Sequence, residues 1–274
     1  MKKFYKKYMK IFSHKQFRKK PTTTLIRIII FIFLDFFKIK KIFIVNHHKF
    51  NFKFTYLPSM KMKSGGRGIF LFREKIEDLM EFGHKFINKN DHCIDGGANQ
   101  GIFSLCFASA VGPEGRVIAV EPFEYCIKNL RQNIILNNFQ NIDVCQKVLF
   151  SKSGLDKKLD YSIGVGGASI VRDFGSSNYL SVKSITIDEI VEKYHLKLNF
   201  LKLDIEGAEL DALKGSIDTL EKNKPIICLE GDPKNYLEIS EYLKKLNYSP
   251  FYFENKKLQK LNDYKPLTNI FFLD

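Results

Sequence analysis

The chain lacks a long uninterrupted apolar run, has no paired cysteines and carries almost no acid at its amino end. Each shortage removes a class of protein. The apolar run Ile28 to Leu34, inside "LIRIIIFIFLDFFKIKKIFIV", is bounded by Arg27 and Asp35, whereas a membrane-spanning helix needs roughly 20 mostly apolar residues. A spanning helix is therefore not expected. The basic leader before Leu25 is long and no small-residue cleavage site follows it, which argues against a secretory signal. Cys93, Cys106, Cys126, Cys145 and Cys228 form no C-x-x-C pair and are odd in number, so neither a zinc knuckle nor a disulfide framework is indicated. They read as small core residues in a reducing compartment, which fits a cytoplasmic protein. No internal repeat or long low-complexity stretch is present.

The shortage of acid is confined to one end. Residues 1–54 hold 15 Lys/Arg and a single acid, Asp35, while residues 55–274 hold 29 residues of each sign. The whole net charge is thus amino-terminal, and the rest of the chain is balanced. That distribution argues against a nucleic-acid groove spread over a basic domain. Residues 1–54 accordingly read as a basic, apolar-interrupted segment, and residues 55–274 as the globular domain. Two readings of the segment stay open: an anchor lying on an anionic membrane surface, on the inner face of the plasma membrane, or a buried helix with a solvated tail.

From Glu74 onward, short β-forming runs ("HCID", "RVIAVEP", "IDVCQKVLF", "NFLKLDI", "PIICLEGD") alternate with helical patterns. This alternation predicts an α/β fold, a mostly parallel sheet with helices on both faces. The late runs "YSPFYFE" and "NIFFLD" have no helix pattern between them, so they are expected to pair as an antiparallel edge. "PFEYCIKNLRQNIILNN" reads as a helix stopped by Asn137 and Asn138. Thr186 and Glu189 read as a capping box.

The stretch "DHCIDGGANQGIFSLCFASA" places Gly96, Gly97 and Gly101 between the first predicted strand and a helix. Such a turn offers backbone amides and a helix amino terminus to a negative group, at the strand carboxyl ends where nucleotides bind in open α/β sheets. Neither the dinucleotide pattern G-x-G-x-x-G nor the P-loop pattern is present. The order is instead Asp95, Gly97, Asn99, Gly101, then Glu121 at the end of the second strand. An acid there accepts hydrogen bonds from both ribose hydroxyls.

These residues resemble a known family. "IDGGANQGIFSL", "VIAVEPF", "NLRQNIILNN", "ITIDEI" and "FLKLDIEGAELDALKG" together resemble the FkbM-type methyltransferases, a branch of the class I enzymes, over Glu74 to Asp274. The resemblance implies a Rossmann-like, seven-stranded sheet with S-adenosyl-L-methionine as methyl donor. It also implies O-methylation of a hydroxyl on a sugar, glycan or related natural product, which with the basic amino-terminal segment reads as a sugar, glycan or lipid-linked saccharide. Amides around Gly97, Asn99 and Gly101 would then face the methionine end of the cofactor, Asp95 would orient the loop and take the ammonium, and Glu121 would hold the ribose. The chain departs from the family at Gly96, where an apolar residue is usual, and in "VLFSKSG", which has no acid for the adenine amine.

The acid cluster "LKLDIEGAEL" ends the fourth predicted strand. Glu206 and Glu209 fit acids in the first turn of a helix. Asp204 is the preferred proton acceptor, with Glu206 beside it and Lys202 on the same side of the strand by period-two alternation. Asp204, Glu230 and Asp232 also form a candidate magnesium set, although no metal is expected. His84, His92 and His195 show no ligand spacing. Ser169, at the end of the Gly164 to Ser169 stretch, reads either as part of a substrate loop or as a plain connection. A non-catalytic cofactor-binding module of a membrane assembly is the alternative function. A nucleic-acid methyltransferase is weaker still, since no N-P-P-Y-like motif appears.

Overall fold

The computed structural model describes residues 17, 20–47, 49–56, 70–71, 78–161, 168–171, 179–230, 235–254, 257–263, 267 and 269–274. The amino-terminal part forms α1 (Pro21–Phe36) and a hairpin of β1 (Lys41–His47) and β2 (Phe50–Tyr56). Next come α2 (Asp78–Phe86), β3 (His92–Gly96), α3 (Ile102–Val111), β4 (Arg116–Val120), α4 (Glu124–Leu136) and β5 (Ile142–Cys145). The short strands β6 (Val148–Leu149), β7 (Asp156–Asp160) and β8 (Tyr179–Ile185) follow, then α5 (Ile187–Lys193) and β9 (Leu198–Leu203). The chain continues with α6 (Glu209–Lys214), α7 (Ile217–Asn223), β10 (Ile226–Glu230) and α8 (Tyr236–Lys244), and closes with β11 (Ser249–Glu254), β12 (Lys257–Lys260) and β13 (Asn269–Leu273).

The main sheet has the order β12-β11-β13-β10-β9-β3-β4-β5. Its central strands are parallel, and β13 enters antiparallel between β10 and β11. The two late apolar runs do pair, Pro250 opposite Phe272. The expected seven strands are joined by an eighth, because β12 folds back on β11 as an outer hairpin. The run "IDVCQKVLF" also divides: β5 stays in the main sheet, while β6 joins a small sheet of order β6-β8-β7.

Neighbouring residues on each central strand bury to opposite faces, as pleating requires. Cys93, Val117, Phe200 and Phe271 enter one core with α2 and α3. Ile94, Ile118, Leu201 and Phe272 enter the other with α5 to α8. All five cysteines are buried and none is in a disulfide. The stop after α4 is made by Asn138, at φ 55°, a left-handed conformation that asparagine tolerates. Thr186 caps α5 by accepting the Glu189 N–H at 3.1 Å. The reciprocal half of the box is replaced, since the Thr186 N–H donates to Ser153 Oγ.

The amino-terminal hairpin is part of the domain. Phe50, Phe52 and Phe54 alternate inward and are essentially fully buried, in the same core as Phe107 and Phe200. The backbone edge of β2 is met by side chains rather than by another strand. Ser109 Oγ accepts from the Asn51 N–H at 2.8 Å and donates to the Lys49 carbonyl at 3.1 Å. The Asn137 side-chain amide accepts from the Lys53 N–H at 2.6 Å and donates to the Lys53 carbonyl at 2.7 Å. Asn133 accepts from the Thr55 N–H at 3.0 Å. These bonds satisfy an edge that would otherwise template aggregation. The boundary expected after residue 54 therefore falls inside β2. α1 packs Thr24, Ile28, Phe31 and Leu34 inward, and Arg27 donates to the Leu71 carbonyl at 2.8 Å. No helix among the described residues is long and apolar enough to cross a membrane.

Candidate active site

The sheet order reverses between β3 and β9: the chain proceeds from β3 toward β5 on one side and from β9 toward β10 on the other. Beyond the carboxyl ends of these strands lies a cleft of about 200 Å³. Its walls are the loop after β3, the end of β4, the start of β6 and the turn after β9, with Leu159, Ala168 and Ile170 contributed by the segment around the small sheet. This is the topological switch point, where ligands of open α/β sheets bind.

The loop after β3 owes its glycines to its protein neighbours. Gly97 has φ 74°, and a Cβ there would lie 2.0 Å from the Asp204 carbonyl oxygen. Gly101 has φ 87°, and a Cβ there would lie 2.2 Å from the Leu130 side chain. The loop is thus pressed onto β9 and α4 more closely than any side chain allows. The amides of Gly97, Ala98, Asn99 and Gly101 are engaged inside the protein, so these four do not face the cleft as free donors. The Gly97 and Ala98 N–H groups donate to the Val120 carbonyl, both at 3.0 Å, and the Gly101 N–H donates to the Ala98 carbonyl at 2.8 Å. Asn99, at φ 51°, donates its N–H to Glu121 Oε2 at 2.8 Å.

Glu121 lines the cleft and is almost fully buried. Its other oxygen accepts the Phe123 N–H at 2.9 Å. Burial pushes the carboxyl up to about 7, against the two amide bonds, which favour the charged form. Each carboxylate oxygen has a second lone pair. Glu121 can therefore hold the loop and still accept from a diol.

Asp95, Lys202 and Asp204 form a chain of charges across β3 and β9, where Asp95 and Lys202 lie in register. Asp95 is fully buried: Oδ2 accepts from Ser104 Oγ at 2.6 Å and Oδ1 lies 3.1 Å from Lys202 Nζ. Oδ1 has that ion pair but no hydrogen-bond donor, and Asp95 is not among the residues lining the cleft. Asp95 orients the loop's foundation through Ser104 and Lys202, one layer behind the cleft lining. Lys202 Nζ lies 3.7 Å from Asp204 Oδ2 and 5.2 Å from the centre of the Phe103 ring. Burial pulls the Lys202 ammonium down, but Asp95 and Asp204 outweigh it and raise it above the usual lysine range. Lys202 is a permanent cation between two carboxylates, with its side chain 4 % exposed against 42 % for Asp204. Lys202 and Asp204 do share one side of the strand, as their spacing predicts.

Glu206 and Glu209 separate into different roles. α6 begins at Glu209, whose Oε1 accepts the Ile205 N–H at 3.0 Å and the Gly207 N–H at 3.2 Å. Burial raises the Glu209 carboxyl despite these bonds, and the residue is a structural brace. Glu206 is not in the first helical turn. It lines the cleft at φ 55°, left-handed backbone that costs a non-glycine residue about 1 kcal/mol or more. The Glu206 carbonyl accepts from Ser169 Oγ at 2.8 Å, while Ser169 pairs with Asp160 in a bridge. Ser169 thus fastens the turn to the cleft wall, a link that no sequence spacing signals.

The acids lining the cleft are Glu121, Asp204 and Glu206. Among the described residues no carboxylate lines the end formed by Phe123, Val148, Leu149, Leu159, Ala168 and Ile170, so a flat base there would be held by apolar contact. Asp232 and the side chains of Glu230 and His84 lie outside the described residues, as do Gly164 to Gly167. Among the described residues no three His, Cys, Asp or Glu side chains gather as a metal site. His92 accepts the Lys197 N–H at the opposite end of β3, a structural bond.

A sheet of this order, with an acid closing the second parallel strand beside a glycine loop, is the arrangement of class I S-adenosylmethionine-dependent methyltransferases. Residues 95–250, more than half of the chain, match the Methyltransferase FkbM domain. The chain belongs to that family. It is 25% identical over 157 residues to Methyltransferase sdnD of Sordaria araneosa, a match covering 46% of this chain and 60% of that protein. It is also similar to the crystal structure of Methyltransferase FkbM from Methylobacillus flagellatus, at 16% identity and a TM-score of 0.47, covering 76% of this chain and 53% of the other. A putative methyltransferase from Streptococcus mutans in complex with SAH gives 12% identity and a TM-score of 0.42, covering 71% and 96%. S-adenosyl-L-methionine suits the residues present: a diol acceptor at Glu121, an apolar end for the base, and an acid-lined lip.

Proposed function

We propose that the protein methylates a hydroxyl of a sugar, glycan or lipid-linked saccharide, with Asp204 as proton acceptor. The observation that carries this reading is the half-exposed Asp204 carboxylate at the cleft, held from behind by the buried Lys202 ammonium at 3.7 Å. The cofactor supplies a methyl group already activated by its sulfonium. What remains for the chain is to align a nucleophile and remove its proton. An alcohol is a weak nucleophile near neutral pH, so a carboxylate within hydrogen-bond reach must take the proton as the new bond forms. Lys202 acts as a positioning residue for that carboxylate. Asp204 and Glu206 at one lip suit a polyol, whose neighbouring hydroxyls donate to carboxylates.

The test is transfer of labelled methyl from the donor to saccharide and lipid-linked saccharide fractions. An O-methyl ether is stable to alkali, whereas a methyl ester is hydrolysed. Alkali-stable label on saccharide, lost in Asp204→Asn, is the expected result. Cofactor binding without transfer to any fraction would instead make the chain a cofactor-binding module, and label on protein or nucleic acid would assign another nucleophile.

A further inference from the structure

α1 is apolar on both sides. Its inner side packs on the core through Ile28, Phe31 and Leu34, and Phe31 meets the Phe70 ring at 6.1 Å. Its outer side carries Ile26, Ile29, Phe33 and Phe36, spaced three or four apart and therefore on one face. All four are exposed, Ile29 by 67% and Phe36 by 76%. Leu25 and Ile32 flank them, Phe37 and Ile39 continue past the helix, and β1 adds Ile42 and Ile44 outward. An exposed apolar surface of this extent marks an interaction site. A helix apolar all round is at home only among apolar neighbours.

The charge beside this face selects the partner. Lys38, Lys40 and Lys41 are exposed immediately after the helix and Lys20 immediately before it. Residues 1–54 carry 15 cations against Asp35, which lies 3.7 Å from Lys38. Two copies meeting through this face would bring two such basic segments together, and like charges oppose that. An anionic lipid surface supplies both an apolar layer and opposite charge. Length fixes the orientation: 16 residues span about 24 Å at about 1.5 Å per residue, less than the roughly 30 Å hydrocarbon core. We infer that the outer face of α1 lies in the interface of an anionic membrane, with Lys20, Lys38, Lys40 and Lys41 at the headgroups. Because β2 is clipped to α3 and α4, this docking holds the catalytic domain at the membrane surface. Vesicle binding needs no turnover, so the inference stands apart from the methyl-transfer reading.

Flotation of the full chain with phosphatidylcholine vesicles, with and without phosphatidylserine, tests it. The protein should float with the anionic vesicles only and be released by high salt. Replacing Ile26, Ile29, Phe33 and Phe36 with serine should lower binding at least about tenfold while leaving cofactor binding and the melting temperature in place. Lys38→Glu, Lys40→Glu and Lys41→Glu together should do the same without touching any apolar contact. A wild-type chain that ignores anionic vesicles overturns the inference, as does full binding by both variants. A dimer in solution that the serine variant splits, without vesicle binding, overturns it in favour of a second copy.

Discussion

Glu121→Gln keeps the shape of the side chain and removes its charge, and three separate signs follow. With its carboxyl raised to about 7 by burial, wild-type Glu121 is about one-tenth ionised at pH 6 and about nine-tenths ionised at pH 8. Ribose hydroxyls donate to the ionised form, so cofactor affinity should rise about tenfold over that interval. Stability without cofactor should move the opposite way. An acid whose folded value is raised above its unfolded value stabilises most below about 4.5, and that contribution is lost as pH rises toward 7, by about 3 kcal/mol on a shift of this size. Glutamine has one acceptor for the Asn99 and Phe123 amides, so one N–H is left unpaired at a cost of about 1–3 kcal/mol. Its affinity should be at least about tenfold lower than wild type at pH 8, through loss of a charged acceptor. Calorimetric titrations between pH 6 and 8 measure the two affinity signs, and thermal melts without cofactor between pH 4.5 and 8 measure the stability sign, with the variant as baseline for every other titrating group. Superimposable pH profiles for the two proteins would remove Glu121 from the ribose site.

Two further outcomes follow from the geometry. A chain beginning at Thr55 loses Phe43, Val45, Phe50, Phe52 and Phe54 from the core; at about 2 kcal/mol each this approaches the whole stability of a domain, so circular dichroism should show no cooperative melt, and a sharp transition would refute the integral hairpin. Glu206→Gly relieves the left-handed strain at φ 55° by about 1 kcal/mol and should not lower the melting temperature, while methyl transfer falls; unchanged transfer would make Glu206 a bystander at the lip.

Local patterns made the central site legible. The order Asp95, Gly97, Asn99, Gly101, Glu121 placed the loop and the buried acid that lines the cleft, and period-two spacing put Lys202 beside Asp204. Long-range partners were not legible. The Asp95–Lys202 pair exists because β3 and β9 are neighbours in register although more than 100 residues apart, and nothing local announces it. Glycine spacing pointed to a ligand, yet Gly97 answers to the Asp204 carbonyl and Gly101 to Leu130. The domain boundary was misplaced because charge outweighed pattern: the alternation of Phe50, Phe52 and Phe54 is a strand signal inside the basic segment. Nor does the sequence reveal that Asn133 and Asn137, one helical turn apart, replace a strand neighbour for β2.

The central claim is that Asp204 removes the proton of a hydroxyl as the methyl group transfers. Single-turnover methyl transfer to the saccharide fraction, at saturating cofactor, compares wild type with Asp204→Asn most directly. The side chain is half-exposed at the cleft and its amide analogue has the same shape, so folding and cofactor affinity should be unchanged. General-base catalysis contributes about 10² to 10⁴ in rate, and the transfer rate should fall at least about a hundredfold. A near-normal rate in the variant, with cofactor affinity intact, would contradict the account.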